Sequence, residues 1–135
     1  MSKDYRGIEL AMKLAKKNQN SSMFFFGGVL MRGNRIISIG FNQPYKTHTK
    51  SNNRWNTIHC ELDTILGVSE KDLHDSSLYI ARLGYGKTIP VFAKPCINCQ
   101  EIITSAKIGR VFFTINQNSF GRWLVKRDQW DIFSF

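Results

Sequence analysis

Two kinds of hydrophobic spacing take turns along this chain. In "YRGIELAMKLAKKN", Ile8, Met12 and Ala15, with Ala11 and Leu14 beside them, form one stripe at helical spacing, with lysines outside it. "SMFFFGGVLM" and "IISIGF" are short apolar runs joined by "RGNR". Gly33-Asn34 is tight-turn chemistry, so these runs predict an antiparallel hairpin. "NQPYKTHTKSNNRWNT" is polar and irregular and predicts a long loop, a feature that in compact domains tends to carry function. "IHCELDTILGV" predicts a short helix with Leu62, Ile65 and Leu66 inward and Gly67 near its end. "SSLYIARL" reads as a buried strand, and "GYGKTIPVFAK" as a loop running into an irregular extended piece. "PCINCQEIITSAKIG" opens on proline, which suits a first helical turn, and predicts a helix ending by Gly109. "RVFFTI" is a further strand, and the aromatic tail "NQNSFGRWLVKRDQWDIFSF" gives no assignable period.

The order α-β-β-α-β-α-β-tail predicts a layered α/β domain, and the hairpin makes its sheet mixed. No repeat, low-complexity segment or linker interrupts the chain, so residues 1–135 are expected to form a single domain. A hydrophobic fraction of 42% with 13% aromatics is too high for a disordered tail. No apolar run approaches the ~20 residues of a membrane helix. The start "MSKDYRGIEL" lacks the apolar segment of a secretory signal, so a cytoplasmic location without membrane partners is expected.

Three cysteines, an odd count, argue against a disulfide framework. In a reducing compartment a C-x-x-C pair serves metal binding or redox chemistry. A net charge of +9 suits an anionic partner, a nucleotide or a nucleic acid, and suits solubility equally well. The basic residues form no run of five or more, so charge alone does not choose between these.

The chemistry concentrates in two segments, "TIHCELDT" and "AKPCINCQEI". A lone histidine is usually a hydrogen-bonding partner, and a lone C-x-x-C is ambiguous. Together His59, Cys96 and Cys99 offer one nitrogen and two sulfurs, a three-ligand set for zinc with the fourth position open. Structural zinc sites are usually closed by four ligands, so an open one points to catalysis. Both segments sit at predicted helix starts, where free N–H groups favour thiolates and a zinc-held hydroxide. Zinc lowers the pKa of bound water to about 7, and Glu61, two residues past His59, is placed to act as general base. Cys60 diverges from His59 by about 100° on a helix and is not counted as a ligand.

"HCE" at 59–61 with "PCINC" at 95–99 resembles the zinc-dependent cytidine and deoxycytidylate deaminase superfamily, whose signature is H-x-E … P-C-x-x-C. "GNRIISIGFNQP", ending in Gly40-Phe41-Asn42, and "SAKIGRVFFT" extend the likeness over roughly residues 5–115. The resemblance implies a three-layer α/β/α fold with a central mixed five-stranded sheet. It implies Zn2+ held by His59, Cys96 and Cys99, and Glu61 moving protons between water, ring nitrogen and leaving ammonia. It also implies Asn42 bonding the sugar or base, and the Cys60 backbone N–H meeting the pyrimidine carbonyl. Family members commonly form oligomers, so a homo-oligomer is expected. Two positions depart from the family pattern: Cys60, where a small residue is usual, and Asp63, often asparagine in nucleotide deaminases.

The loop before His59 carries Lys46, His48, Lys50, Arg54 and Trp55. Its cations suit phosphate, and Trp55 suits a stacked base or a buried anchor. Lys46 and Trp55 are therefore expected substrate contacts, and His48 is a weaker candidate for a fourth ligand. Trp123 and Trp130 are expected to cover a sheet edge or an oligomer interface. The expected activity is hydrolytic deamination of cytosine in a free nucleotide or nucleoside, dCMP to dUMP foremost. The alternative is deamination of single-stranded DNA or RNA. From other classes stand a zinc-stabilised nucleic-acid module without catalysis and a thiol redox protein using Cys96 and Cys99.

Overall fold

The stripe of apolar residues at the start of the chain becomes α1 (Ser2–Lys17), with Ile8, Ala11 and Ala15 fully buried. In the computed structural model, residues 2–18, 25–44 and 57–135 are described. The hairpin follows as β1 (Phe25–Arg32) and β2 (Arg35–Gly40), turning at Gly33 with φ +58°. The two-residue strands β3 (Gln43–Pro44) and β4 (Thr57–Ile58) then pair with each other. Next come α2 (Cys60–Ile65), α3 (Glu70–Leu73) and β5 (Ser77–Leu83). A 3₁₀ turn at Tyr85–Lys87 leads to β6 (Pro90–Val91) and α4 (Ile97–Ser105). The chain closes with β7 (Arg110–Asn116), β8 (Ser119–Leu124) and β9 (Gln129–Ser134).

The main sheet runs β2-β1-β5-β7-β8-β9, with β6 added on β5. Among the described residues only β5 and β7 pair parallel, and α4 lies in the crossover between them. The sheet is mixed and lies between two helical layers, as expected. It holds seven strands rather than five. The two extra ones are the short β6 and the second strand of the tail, whose aromatic residues β8 and β9 zip together. Trp123 stacks on Trp130 at 4.8 Å, Phe120 on Phe133 at 5.6 Å, and Arg122 meets Asp131 at 3.0 Å. Both indole N–H groups donate to the Asp128 carboxylate in the turn between the strands, at 3.0 and 3.1 Å. The tryptophans therefore finish the core at one end of the sheet, and the tail that gave no assignable period forms two strands.

Strand alternation sorts the core into two halves. Val29, Met31, Tyr79, Ala81, Phe112 and Phe120 face α1. Leu30, Leu78, Ile80, Val111, Phe113 and Trp123 face α2 and α4. Strands buried on both faces lose the polar half of the alternation, which is why they read as continuous apolar runs. Among the described residues no helix is long and apolar enough to cross a membrane.

The seat of α2 decides where the chemistry lies. Gly28 and Gly40 are direct partners across the β1–β2 ladder. A Cβ at Gly28 would lie 2.9 Å from Cys60 Sγ, and one at Gly40 would lie 2.6 Å from Thr64 N. Two adjacent glycines thus leave a bare patch of sheet on which α2 rests against backbone. The Ser38 hydroxyl donates to Thr64 O at 2.7 Å, and the Thr64 hydroxyl to Cys60 O at 2.8 Å.

Candidate metal centre

His59 and Cys96 occupy equivalent positions: each is the N-cap residue of its helix, α2 and α4, in extended conformation. Cys99 follows one turn into α4 and is buried. The segment before α4 is held by the Ala93 N–H on Thr114 O at 2.9 Å, the Thr114 hydroxyl on Val91 O at 2.7 Å, and Gln100 Nε2 on Pro95 O at 2.8 Å. These ties bring together two helix starts that lie 37 residues apart in sequence. His59 Nδ1 then stands 3.8 Å from Cys96 Sγ and 3.6 Å from Cys99 Sγ.

These separations can be tested against zinc. Ligands at about 2.0–2.1 Å (nitrogen) and about 2.3 Å (sulfur) around one tetrahedral centre lie about 3.5–3.8 Å apart. The triangle fits, with all three donor atoms within 4.8 Å of one another. Charge agrees with geometry. The Cys99 thiol and His59 both hydrogen-bond Cys96, and the Cys96 thiol is drawn down to about 4, a thiolate at neutral pH. Cys99 is pushed far upward, first by its hydrogen bond to that thiolate, then by burial and by the nearby Glu61. With Cys96 ionised, Cys99 and Glu61 hold their protons more tightly, and a divalent cation among the three would reverse that balance. Zinc is the metal this donor set suits.

Glu61 is 5% exposed. Burial raises its carboxyl pKa above the ordinary range, opposed by its own backbone N–H and by His59. The Cys99 thiol reaches it as well, so the carboxylate adjoins the metal triangle without belonging to it. Cys60 points the other way. It is 1% exposed, lies against the Gly28–Gly40 patch, and its Sγ is 3.6 Å from Gly40 O. Burial first, then Glu61, holds this thiol protonated.

Asn42, 7% exposed, follows β2. The β3–β4 pair ties the residues just past it to those just before His59. Asp63 supplies a second tie: the Phe41 N–H donates to its Oδ2 at 2.9 Å, and Gln43 Nε2 approaches the same oxygen at 3.5 Å. The departure from the family pattern at Asp63 thus has a local use, fixing the Asn42 loop to the helix that carries Glu61. Asn18, at the end of α1, adds a third tie through Asn42 Oδ1 at 2.6 Å. The sequence marked Asp63 only as a departure from the family pattern and drew no attention to Asn18, because both links join segments far apart in the chain. Lys46, His48, Lys50, Arg54 and Trp55 lie outside the described residues. Trp123 and Trp130 belong to the core end of the sheet.

Comparison with known proteins gives a consistent picture. The family described as the cytidine and deoxycytidylate deaminase zinc-binding region matches residues 1–115. Among solved structures, the apo dCMP deaminase of cyanophage S-TIM5 superposes with a TM-score of 0.57 at 19% identity, over 82% of this chain and 80% of that one. The same phage enzyme in complex with dCMP and dUMP gives 0.54 at 14% identity, over 81% and 78%. RibD of Acinetobacter baumannii gives 0.53 at 21% identity over 83% of this chain. This chain spans only 28% of the length of that RibD.

Proposed function

The chain belongs to the cytidine and deoxycytidylate deaminase zinc-binding family, and from that premise we propose that it hydrolyses the exocyclic amine of cytosine in a free nucleotide, converting dCMP to dUMP. The observation that carries this reading is the buried Glu61 beside the His59–Cys96–Cys99 triangle, which has three ligands among the described residues. Zinc held there supplies the Lewis acidity that makes water nucleophilic near neutral pH. Everything else falls to the chain's own side chains. Glu61, whose proton affinity is raised by burial, takes a proton from the attacking water. It passes that proton to the pyrimidine ring nitrogen, then takes the second proton from the hydroxyl newly bonded to C4 and gives it to the departing amine. Water oxygen bonds C4, the C4–N bond breaks, ammonia leaves, and uracil remains. The backbone N–H of Cys60, in the first turn of α2, meets the pyrimidine carbonyl, and Asn42 holds the sugar or the base.

A mononucleotide substrate is supported by the phage relative, which superposes over most of both chains and whose structure holds dCMP and dUMP. Lys46 and Trp55, which fall between β3 and β4 in sequence, are the further candidates for phosphate and base contacts. The same reading places residues 1–135 in one domain of a cytoplasmic homo-oligomer. The net charge of +9 favours a second reading, a cytosine in single-stranded nucleic acid. One assay separates them. Zinc-loaded protein is incubated with dCMP and, separately, with a cytosine-containing oligonucleotide, and uracil is read by mass. Conversion of dCMP alone supports the first reading. Conversion of the oligonucleotide alone, with activity falling steeply as salt rises, replaces it with the second.

A further inference from the structure

We propose that Thr114, which lies outside the metal triangle, is a positioning residue that sets where Cys96 stands against His59. The inference rests on the metal reading of the His59–Cys96–Cys99 triangle and is independent of the substrate. Thr114 is 0% exposed and follows directly on the parallel pairing of β5 with β7, whose last register pair is Ile80 with Phe113. There a side chain takes over. The Thr114 hydroxyl accepts from the Arg82 N–H of β5 at 3.1 Å and donates to Val91 O of β6 at 2.7 Å. Arg82 and Val91 are register partners, so the hydroxyl is wedged into the β5–β6 ladder and ties three strands at one atom. The Thr114 backbone contributes as well, its carbonyl accepting the Ala93 N–H at 2.9 Å. Immediately after Thr114 the β7–β8 register slips, which marks a local break in the regular sheet.

The consequence lies in the segment from Val91 to Cys96, which carries the chain from the sheet to the N-cap of α4. Thr114 pins it at Val91 and Ala93, Gln100 pins Pro95 O at 2.8 Å, and the Phe92 ring rests edge-on against Phe113 at 6.2 Å. Pro95 fixes its own φ and keeps Lys94 out of helical backbone. Little freedom is then left between Ala93 and Cys96, so a shift at the Thr114 pin passes along to the Cys96 sulfur. His59 rests on a different support, α2 seated on the Gly28–Gly40 patch. Such a shift therefore changes the 3.8 Å separation of His59 Nδ1 from Cys96 Sγ. Valine has the shape of threonine without the hydroxyl. At position 114 it would deprive a buried N–H and a buried C=O of their shared partner, which favours movement of the segment toward water or a new partner.

The test is zinc affinity, measured by competition with a chromophoric chelator, for Thr114→Val, Thr114→Ser and Ser76→Ala in the full chain. Ser76 is also 0% exposed and precedes β5 at its other end, where its hydroxyl donates to Leu73 O at 2.6 Å. Its removal controls for the loss of a buried hydrogen bond away from the metal. Thr114→Val and Ser76→Ala are both expected to lower Tm. Only Thr114→Val is expected to weaken zinc binding, by about 10- to 100-fold. Thr114→Ser keeps the hydroxyl and should stay within about threefold of the wild type. Co2+ in place of zinc gives a second readout. Its absorption bands follow ligand geometry, so they should move in Thr114→Val and hold in the other two variants. Thr114→Val with wild-type zinc affinity and Co2+ spectrum would overturn the proposal. So would an equal loss of affinity in Ser76→Ala, which would make the effect one of general stability. Where Thr114→Val fails to fold, Thr114→Ser decides: wild-type affinity supports the hydroxyl, and a loss of about tenfold makes the methyl group the determinant and overturns it. Deamination enters none of these readouts, so failure of the dCMP reading leaves the test standing. A wild type that binds no zinc overturns the metal reading and this proposal with it.

Discussion

Gly40→Ala is the substitution whose consequence the structure specifies most directly. The added methyl would lie 2.6 Å from Thr64 N and 2.8 Å from Thr64 Cα. Both atoms are backbone, so no side-chain rotation relieves the contact. Nonbonded carbon atoms settle at about 3.5–4.0 Å, so α2 has to retreat by about 1 Å. That helix has only six residues, too few to absorb the shift by bending, and His59 caps it. His59 and Glu61 therefore move together, while Cys96 and Cys99 stay on α4. Overpacking of this kind costs about 1–3 kcal/mol, or roughly 4–12 °C in Tm for a chain of this size. Displacing a metal ligand's support weakens metal affinity about 10- to 100-fold. A 1 Å error in catalytic geometry lowers kcat/KM by about 100-fold. Zinc affinity is measured by competition with a chromophoric chelator, turnover with dCMP, and Tm by calorimetry. Gly33→Ala serves as the control. It strains a φ of +58° but meets no atom within 4 Å, so it should lose stability and keep zinc affinity. A Gly40→Ala variant with wild-type zinc affinity and turnover would refute the argument that the glycine pair seats the metal helix.

Glu61→Gln keeps the shape of the side chain and removes its proton chemistry, so zinc should stay at one per chain while kcat falls at least about 100-fold; retained turnover would remove Glu61 from the mechanism. Cys96→Ser should lose zinc, whereas Cys60→Ser should keep it, because Cys60 Sγ faces Gly40 O at 3.6 Å; metal analysis of the two purified variants decides. Excess chelator should lower Tm, since zinc at about 100 times its Kd adds about 2.7 kcal/mol to the folded state alone; an unchanged transition would show that the site contributes nothing to folding. Phe120→Ala, at a fully buried position between Phe112 and Phe133, should cost about 3–5 kcal/mol by urea denaturation. A loss under about 1 kcal/mol would mean that the tail hairpin is an appendage and not part of the core.

The metal set was legible in the sequence because its determinants are local. The sequence H-x-E puts a ligand at a helix cap and a carboxylate in the first turn, and P-C-x-x-C puts two sulfurs one turn apart at another cap. Helix geometry alone fixes those spacings, so they survive translation from sequence to structure unchanged. The helical stripe of α1 and the Gly33–Asn34 hairpin were readable for the same reason. The tail was not. Its strands are buried or aromatic on both faces, with Phe120 toward one layer and Trp123 toward the other, so no period-2 signal remains. The pairing of Trp123 with Trp130 and of Arg122 with Asp131 exists only once the hairpin has formed. The approach of Asn18 to Asn42, 24 residues apart, and of Asp63 to Phe41, 22 apart, likewise depends on how α1 and α2 lie on the sheet. Sequence by itself determined which atoms could hold the metal, through covalent spacing and helix caps. Tertiary structure decided where the metal helix sits and which distant side chains meet, because glycine gaps and buried hydrogen bonds act only between segments that folding has brought together.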